Sequence, residues 1–165
     1  MFELLFAKQK EREAKARPEC NEGHAQIKNK MIKQNDTYTH EFQFSQKEVQ
    51  AFADATGDKN PVHLDAAYAA TTMFKKPIMH GMLSASLFSK VFGTLFPGEG
   101  TIYLKQSLSF LRPMYVDTAY EAHFLVKEVM AEKNRAVVET VIKDKATGAV
   151  CTSGEATVMN VNQIK

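Results

Sequence analysis

The chain has 165 residues, 44% of them hydrophobic, with aromatic residues led by 11 Phe and a formal net charge of +2. That length suits one domain with one core, and the composition is that of a globular protein rather than a disordered one. The charge is too small, and Lys and Arg too evenly interleaved with Asp and Glu, for a nucleic-acid surface. No run approaches the roughly 18 apolar residues that cross a bilayer.

Residues 1–37 read as a leader, peripheral or partly disordered. The apolar run 1–7 is too short for a secretory core and has no basic segment before it, and residues 8–16 are too acidic for a transit peptide. Their mixed charge and good helix formers suit a short helix, punctuated by Pro18 and Gly23. Cys20 and Cys151 lie far apart, and neither has a partner at metal-ligand spacing. Free thiols in a reducing, cytoplasmic setting are expected, with a disulfide between the two left open.

Residues 38–165 are expected to form a single domain. Segment 38–44 alternates apolar and polar residues and predicts a strand. Ser45 with Glu48 makes a capping box for a helix running to about Thr56, with Val49, Phe52 and Ala53 inward and Gly57 as its stop. A turn carrying Asp58, Asn60, Pro61 and His63 follows. Asp65 caps a short helix over 66–70, and 71–79 reads as loop because the Lys76-Pro77 step discourages helix. Residues 81–96 predict a long helix whose apolar residues cover several sides, so it is expected to be enclosed on all of them.

After Pro97-Gly98-Glu99-Gly100 the chain reads as strands. Ile102, Leu104, Leu108 and Phe110 predict one long or bulged strand. A second alternates from Thr118 to Val126. Segment 135–143 is Val-rich, and a hairpin turn at Lys145-Ala146-Thr147-Gly148 leads into a strand over 150–159. The pattern predicts an α+β domain: a curved antiparallel sheet wrapped around one long helix.

Two places carry candidate chemistry. The turn fixed by Pro61 can bring Asp58 and His63 toward one point, where they could hold a water and move its protons. That requires an Asp58 carboxyl raised by burial and a histidine that exchanges protons near neutral pH. Asn60 either orients the turn or reaches a ligand. The same residues also make ordinary turn chemistry, and both readings stand. Gly81, at the start of the long helix, offers a backbone N–H without an intrahelical acceptor to a negatively charged oxygen. Its plainer role is close packing, with His80 capping the turn. Phe74, Ile78, Met82, Leu83 and Leu87 suit either an apolar pocket or the core. No metal site, phosphate loop or nucleophile elbow is present. His24, His40 and His123 read as surface residues.

Three stretches in order carry a resemblance: Phe52-Ala53-Asp54-Ala55-Thr56-Gly57-Asp58-Lys59-Asn60-Pro61-Val62-His63-Leu64-Asp65, then Phe74-Lys75-Lys76-Pro77-Ile78-Met79-His80-Gly81-Met82-Leu83, then residues 97–110. Together they resemble the MaoC-like hot-dog family over about 38–159, and look most like its short (R)-specific enoyl-CoA hydratases. The leader departs from short members, which start near the first strand. The resemblance implies a homodimer whose two sheets join edge to edge. It also implies syn hydration of trans-2-enoyl-CoA to (3R)-hydroxyacyl-CoA, without metal or redox cofactor. Asp58 and His63 would be the catalytic pair, with the Gly81 N–H on the thioester oxygen. Asn60, Phe74, Ile78, His80, Met82 and Leu83 are expected at the substrate. Lys59, Lys75, Lys76, Lys105 and Arg112 are candidates for the phosphates of coenzyme A. The alternatives within the fold are an acyl-carrier-protein dehydratase, a thioesterase and a non-catalytic subunit. Retention of both Asp58 and His63 speaks against the last.

Overall fold

A computed structural model describes residues 31–165. The helix expected over 8–16, and Cys20 and His24, lie outside the described residues. From Met31 onward the chain is tied to the domain. Ile32 is buried in the core, and its N–H donates to the Gln163 carbonyl at 2.8 Å.

Five strands form one antiparallel sheet: β1 (Thr37–Phe42), β2 (Ile102–Phe110), β3 (Tyr120–Met130), β4 (Arg135–Asp144) and β5 (Val150–Met159). Their order across the sheet is β1-β3-β4-β5-β2. β3, β4 and β5 are a meander. The helices fall in the connection between β1 and β2, which therefore occupy opposite edges. The inner face carries Ala122, Phe124, Val126, Ala136, Val138, Ala156 and Val158, all buried, as the period of two requires.

Helix α1 (Gln46–Thr56) has the expected capping box: the Ser45 N–H donates to Glu48 at 2.6 Å, and Gly57 ends the helix with φ of 79°. The Pro61 segment is not simply a turn. It forms a one-turn helix, α2 (Pro61–Leu64), whose first residue is the proline and whose N-cap is Asn60, a position at which proline's missing N–H costs nothing. Helix α3 (Ala66–Thr71) is capped by Asp65, which accepts from the N–H groups of Ala67 and Tyr68.

The long helix α4 (Gly81–Thr94) crosses the inner face of the sheet. Leu83, Leu87, Phe88, Val91 and Phe92 are buried, and Phe88 and Phe92 meet Phe124 edge-on at centroid distances of 5.7 and 5.3 Å. The expectation that α4 has no wet side is corrected within one chain. Met82, Ser86, Ser89, Lys90 and Gly93 are exposed, and they recur at helical spacing along one stripe. The small serines hid this face, because they interrupt the apolar pattern without marking a charged surface.

Candidate active site

Three elements converge on the N-terminus of α4: the turn between α1 and α2, the loop before α4, and the end of β2. The loop is pinned from both sides. The Met79 N–H donates to the Met114 carbonyl at 2.7 Å, and the Ile78 N–H donates to the Val62 carbonyl at 3.2 Å.

The Asp58 turn is built by main-chain and side-chain bonds. The Asp58 N–H donates to the Thr56 hydroxyl at 3.3 Å, and the Asn60 N–H donates to Asp58 Oδ1 at 3.4 Å. Asn60 spends its own side-chain oxygen on the Val62 N–H at 3.2 Å. Of its two expected roles it performs the first. It is an Asx cap on α2 and does not line the cleft.

His63 turns Nδ1 to the Ile78 carbonyl at 2.8 Å. A carbonyl only accepts, so Nδ1 carries the proton and Nε2 is the free, basic nitrogen. His80 is 2% exposed and turns Nε2 to the main-chain carbonyl of Asp58 at 3.0 Å. By the same logic Nε2 carries its proton. Nδ1 is buried and has no partner among the described residues. His80 stands at the N-cap position of α4 but makes no side-chain cap bond. Its ring lies between those of His63 and Phe52, at centroid distances of 3.8 and 5.0 Å.

The ligating atoms of Asp58, His63 and His80 lie within 4.8 Å of one another. Such spacing would admit a metal ion, and an imidazole whose one nitrogen bonds a main-chain carbonyl keeps the other able to ligate. His80 Nδ1 is buried, which leaves His63 Nε2 and the Asp58 carboxylate as the exchangeable pair. The Asp58 side chain is 53% exposed, so one chain does not supply the burial that the sequence reading required of it.

Gly81 opens α4 beside this pair. A Cβ there would come within 2.9 to 3.1 Å of the Phe110 ring. The close-packing reading of this glycine therefore holds, and it leaves the N–H of a first-turn residue unencumbered.

A cleft of about 1090 Å³ runs from this point along α4. Asp58, His63, Phe74, Ile78, His80 and Met82 all line it, and so does Gly81. Leu83 does not. It is 7% exposed and belongs to the core, because successive helix positions point about a quarter-turn apart and only Met82 of the pair faces out. Of the five candidate cations, Arg112 alone lines the cleft, and it also donates to the Val150 carbonyl at 2.6 Å. Lys76 instead sits 4.1 Å over the Tyr115 ring, and Lys59 lies 3.9 Å from Asp54.

Sequence reading missed the opposite wall, formed by Tyr103, Gln106, Leu108 and Phe110 of β2. The signal was there in part, as a strand with an irregular apolar pattern. His123 is half-buried rather than solvated, with Nδ1 at 3.3 Å from the Thr39 hydroxyl and Nε2 at 3.2 Å from Glu121. His40 is likewise half-buried, near Lys90 at 3.4 Å.

A family model described as a MaoC like domain matches residues 25–149. The chain belongs to the MaoC-like family. Among relatives, it is 48% identical over 115 residues to the (R)-specific enoyl-CoA hydratase of Aeromonas caviae, a match covering 70% of this chain and 85% of that one. The (R)-hydratase structure from A. caviae aligns with a TM-score of 0.75 at 43% identity, covering 78% of this chain and 97% of that one. The R-hydratase PhaJ1 structure from Pseudomonas aeruginosa aligns with a TM-score of 0.74 at 41% identity, covering 78% and 82% respectively. The MaoC-like domain thus has the hot-dog fold, an antiparallel sheet curved around one long helix.

Proposed function

We propose that this MaoC-like chain is an (R)-specific enoyl-CoA hydratase, adding water to a trans-2-enoyl-CoA to give the (3R)-hydroxyacyl-CoA. The observation that carries the reading is the convergence of His63 Nε2, the Asp58 carboxylate and the first N–H of α4 at the mouth of a mostly apolar cleft.

The thioester oxygen sits on the Gly81 N–H. The helix N-terminus favours the negative charge that this oxygen gains as the enolate forms. Asp58 and His63 hold the water between them. Its oxygen bonds to C3 as a proton passes to the pair, the electrons of the double bond move to C2 and the carbonyl, and a proton is delivered to C2. Both additions come from one side, because both groups stand on one side of the cleft, and this supports a syn outcome. The reaction is redox-neutral, and acid–base groups of this kind are suited to it. Arg112 is the cation best placed for the phosphates of coenzyme A.

A homodimer completes the reading. Met82 is 59% exposed on α4, and Ile102, Leu104, Phe110 and Leu111 are exposed on or after edge strand β2. Apolar side chains beside an unpaired strand edge suit a second copy. Sedimentation of the purified protein measures this directly. Cys151 is a buried thiol with no disulfide partner among the described residues, which suits a reducing compartment such as the cytoplasm, and cell fractionation tests this.

The deciding experiment is a spectroscopic assay of hydration on crotonyl-CoA and longer enoyl-CoAs, with the configuration at C3 determined. A (3R) product is expected. A (3S) product, or release of free thiol in place of hydration, overturns the reading.

A further inference from the structure

The peptide unit joining Ile78 to Met79 is used at both ends. Its carbonyl accepts from His63 Nδ1 at 2.8 Å, and its N–H donates to the Met114 carbonyl at 2.7 Å. The peptide unit joining Met114 to Tyr115 is used in the same way. Its carbonyl takes the Met79 N–H, and its own N–H donates to the Tyr120 hydroxyl oxygen at 2.8 Å. Three hydrogen bonds through two peptide units therefore run without a break from the His63 imidazole to a phenol on the sheet, all donating in one direction. In such a chain each N–H that donates makes the carbonyl of its own peptide a better acceptor, because the amide is polarised as a unit.

Tyr120 is a rigid end for the chain. It is 1% exposed and opens β3, where it pairs with Phe42 of β1 on one side and Asp144 of β4 on the other. Its ring lies against that of Phe42 at a centroid distance of 5.8 Å. Burial raises its phenol above the ordinary range, so a neutral hydroxyl meets the Tyr115 N–H.

The segment between β2 and β3 is tied to the sheet at its two ends. The N–H groups of Leu111 and Arg112 donate to the Cys151 carbonyl at 2.8 and 3.1 Å, and the Asp117 N–H donates to the Phe44 carbonyl at 2.8 Å. Tyr120 ties its middle. Without the phenol oxygen the Tyr115 N–H loses its acceptor, and the Met114 carbonyl is free to turn. Met79 and the Ile78 carbonyl turn with it. A neutral imidazole that loses its acceptor at Nδ1 is no longer held in one tautomer, and with its proton on Nε2 it cannot take one from water.

We propose that Tyr120 is a positioning residue for the reaction: its hydroxyl oxygen ends a main-chain hydrogen-bond chain that holds the His63 proton on Nδ1 and keeps Nε2 free as the base. The use of that base rests on the hydratase reading of the site, whereas the chain that sets the tautomer does not.

The test compares the parent with Tyr120→Phe, which removes the oxygen and keeps the ring. Phe42→Leu is the control, since it loosens packing on the same ring and leaves the chain intact. Nitrogen NMR of the imidazoles, assigned through His63→Gln, reads the tautomer in the free protein, and hydration of crotonyl-CoA reads the consequence. The parent should show His63 protonated at Nδ1, with that proton far downfield. In Tyr120→Phe the proton should move upfield and a share of the Nε2-protonated form should appear. Its kcat should fall by about three- to tenfold, the worth of one neutral hydrogen bond, with KM changed little. Phe42→Leu should lower the melting temperature and leave the His63 signal in place. If Tyr120→Phe does not fold, fluorotyrosine at position 120 replaces it, keeping the shape and weakening the oxygen as an acceptor. A parent His63 protonated at Nε2, a folded position-120 variant with the parental His63 signal or parental kcat, or an equal shift of that signal in Phe42→Leu overturns the proposal. A parent that hydrates no enoyl-CoA removes the hydratase reading, and the spectra, recorded without substrate, still decide whether Tyr120 sets the tautomer.

Discussion

His80 donates its Nε2 proton to the main-chain carbonyl of Asp58, 3.0 Å away across 22 residues of sequence. This bond ties the acid–base turn to the residue before the helix that carries the Gly81 N–H. The two halves of the site are therefore set relative to one another by a buried imidazole that need not touch substrate.

Replacing His80 by Phe keeps a ring between Phe52 and His63 and removes the donor. The turn is then free to drift, and a displacement on the ångström scale costs on the order of a hundredfold in rate. We expect that loss in kcat with KM changed little. His80→Gln, which can still donate near the position of Nε2, should recover much of it. Steady-state kinetics on both variants check this. Equal losses in the two, or parental kcat in His80→Phe, would show that the bond does not position Asp58.

Asp58→Asn and His63→Ala remove the proposed proton-transfer pair. Each should lower kcat by roughly a hundred- to ten-thousand-fold, with the melting temperature nearly unchanged, because neither side chain belongs to the core. The double variant should be little worse than either single one, since groups acting as a unit are not additive. A parental rate in purified Asp58→Asn would remove Asp58 from the mechanism.

Gly81→Ala places a methyl group against the Phe110 ring. Overpacking of this kind costs about 1–3 kcal/mol. Shrinking the ring with Phe110→Leu should relieve part of it, so a double-mutant cycle measured by urea unfolding should show coupling of about 0.5 kcal/mol or more. Additive effects would mean that Phe110 moves aside freely and that the glycine is not required by packing.

Asp144 supplies the acid-side prediction. The N–H of Thr147 above all, then its hydroxyl and the Ala146 N–H, donate to the Asp144 carboxylate and hold it below the ordinary carboxylate range. A carboxyl depressed in the folded state stabilises above its unfolded pKa, and that contribution disappears as pH falls through the folded value. The parent should therefore be more stable than Asp144→Asn near neutrality, and the gap should close on acidification below the usual carboxylate range. Melting temperatures across pH measure it, and a gap independent of pH would refute the assignment.

Much of this molecule is legible in its sequence because local signals agree with tertiary packing. The Ser45 to Glu48 box, the Gly57 stop and the Asp65 cap are each satisfied by neighbours within a few residues. The alternation from Tyr120 to Val126 survives because β3 buries one face uniformly. What escapes the sequence depends on partners distant along the chain. The inward Tyr103 follows from a bulge set by pairing with β5. The role of His80 follows from a carbonyl in another loop. The exposed stripe of α4 was masked by serines, whose small size suits either a core or a surface. Leu83 and Met82 are adjacent and equally apolar, and only the axial rotation of the helix decides which of them faces the cleft.

Ile78 serves three purposes through different atoms. Its carbonyl fixes the His63 tautomer, its N–H anchors the loop to Val62, and its side chain lines the cleft. Proton handling at His63 is thus set by backbone that every residue type except proline provides in full. The side chain at position 78 is accordingly free to vary under selection for new substrates while the acid–base apparatus stays unaltered. This wall of the site can diverge without passing through an inactive ancestor.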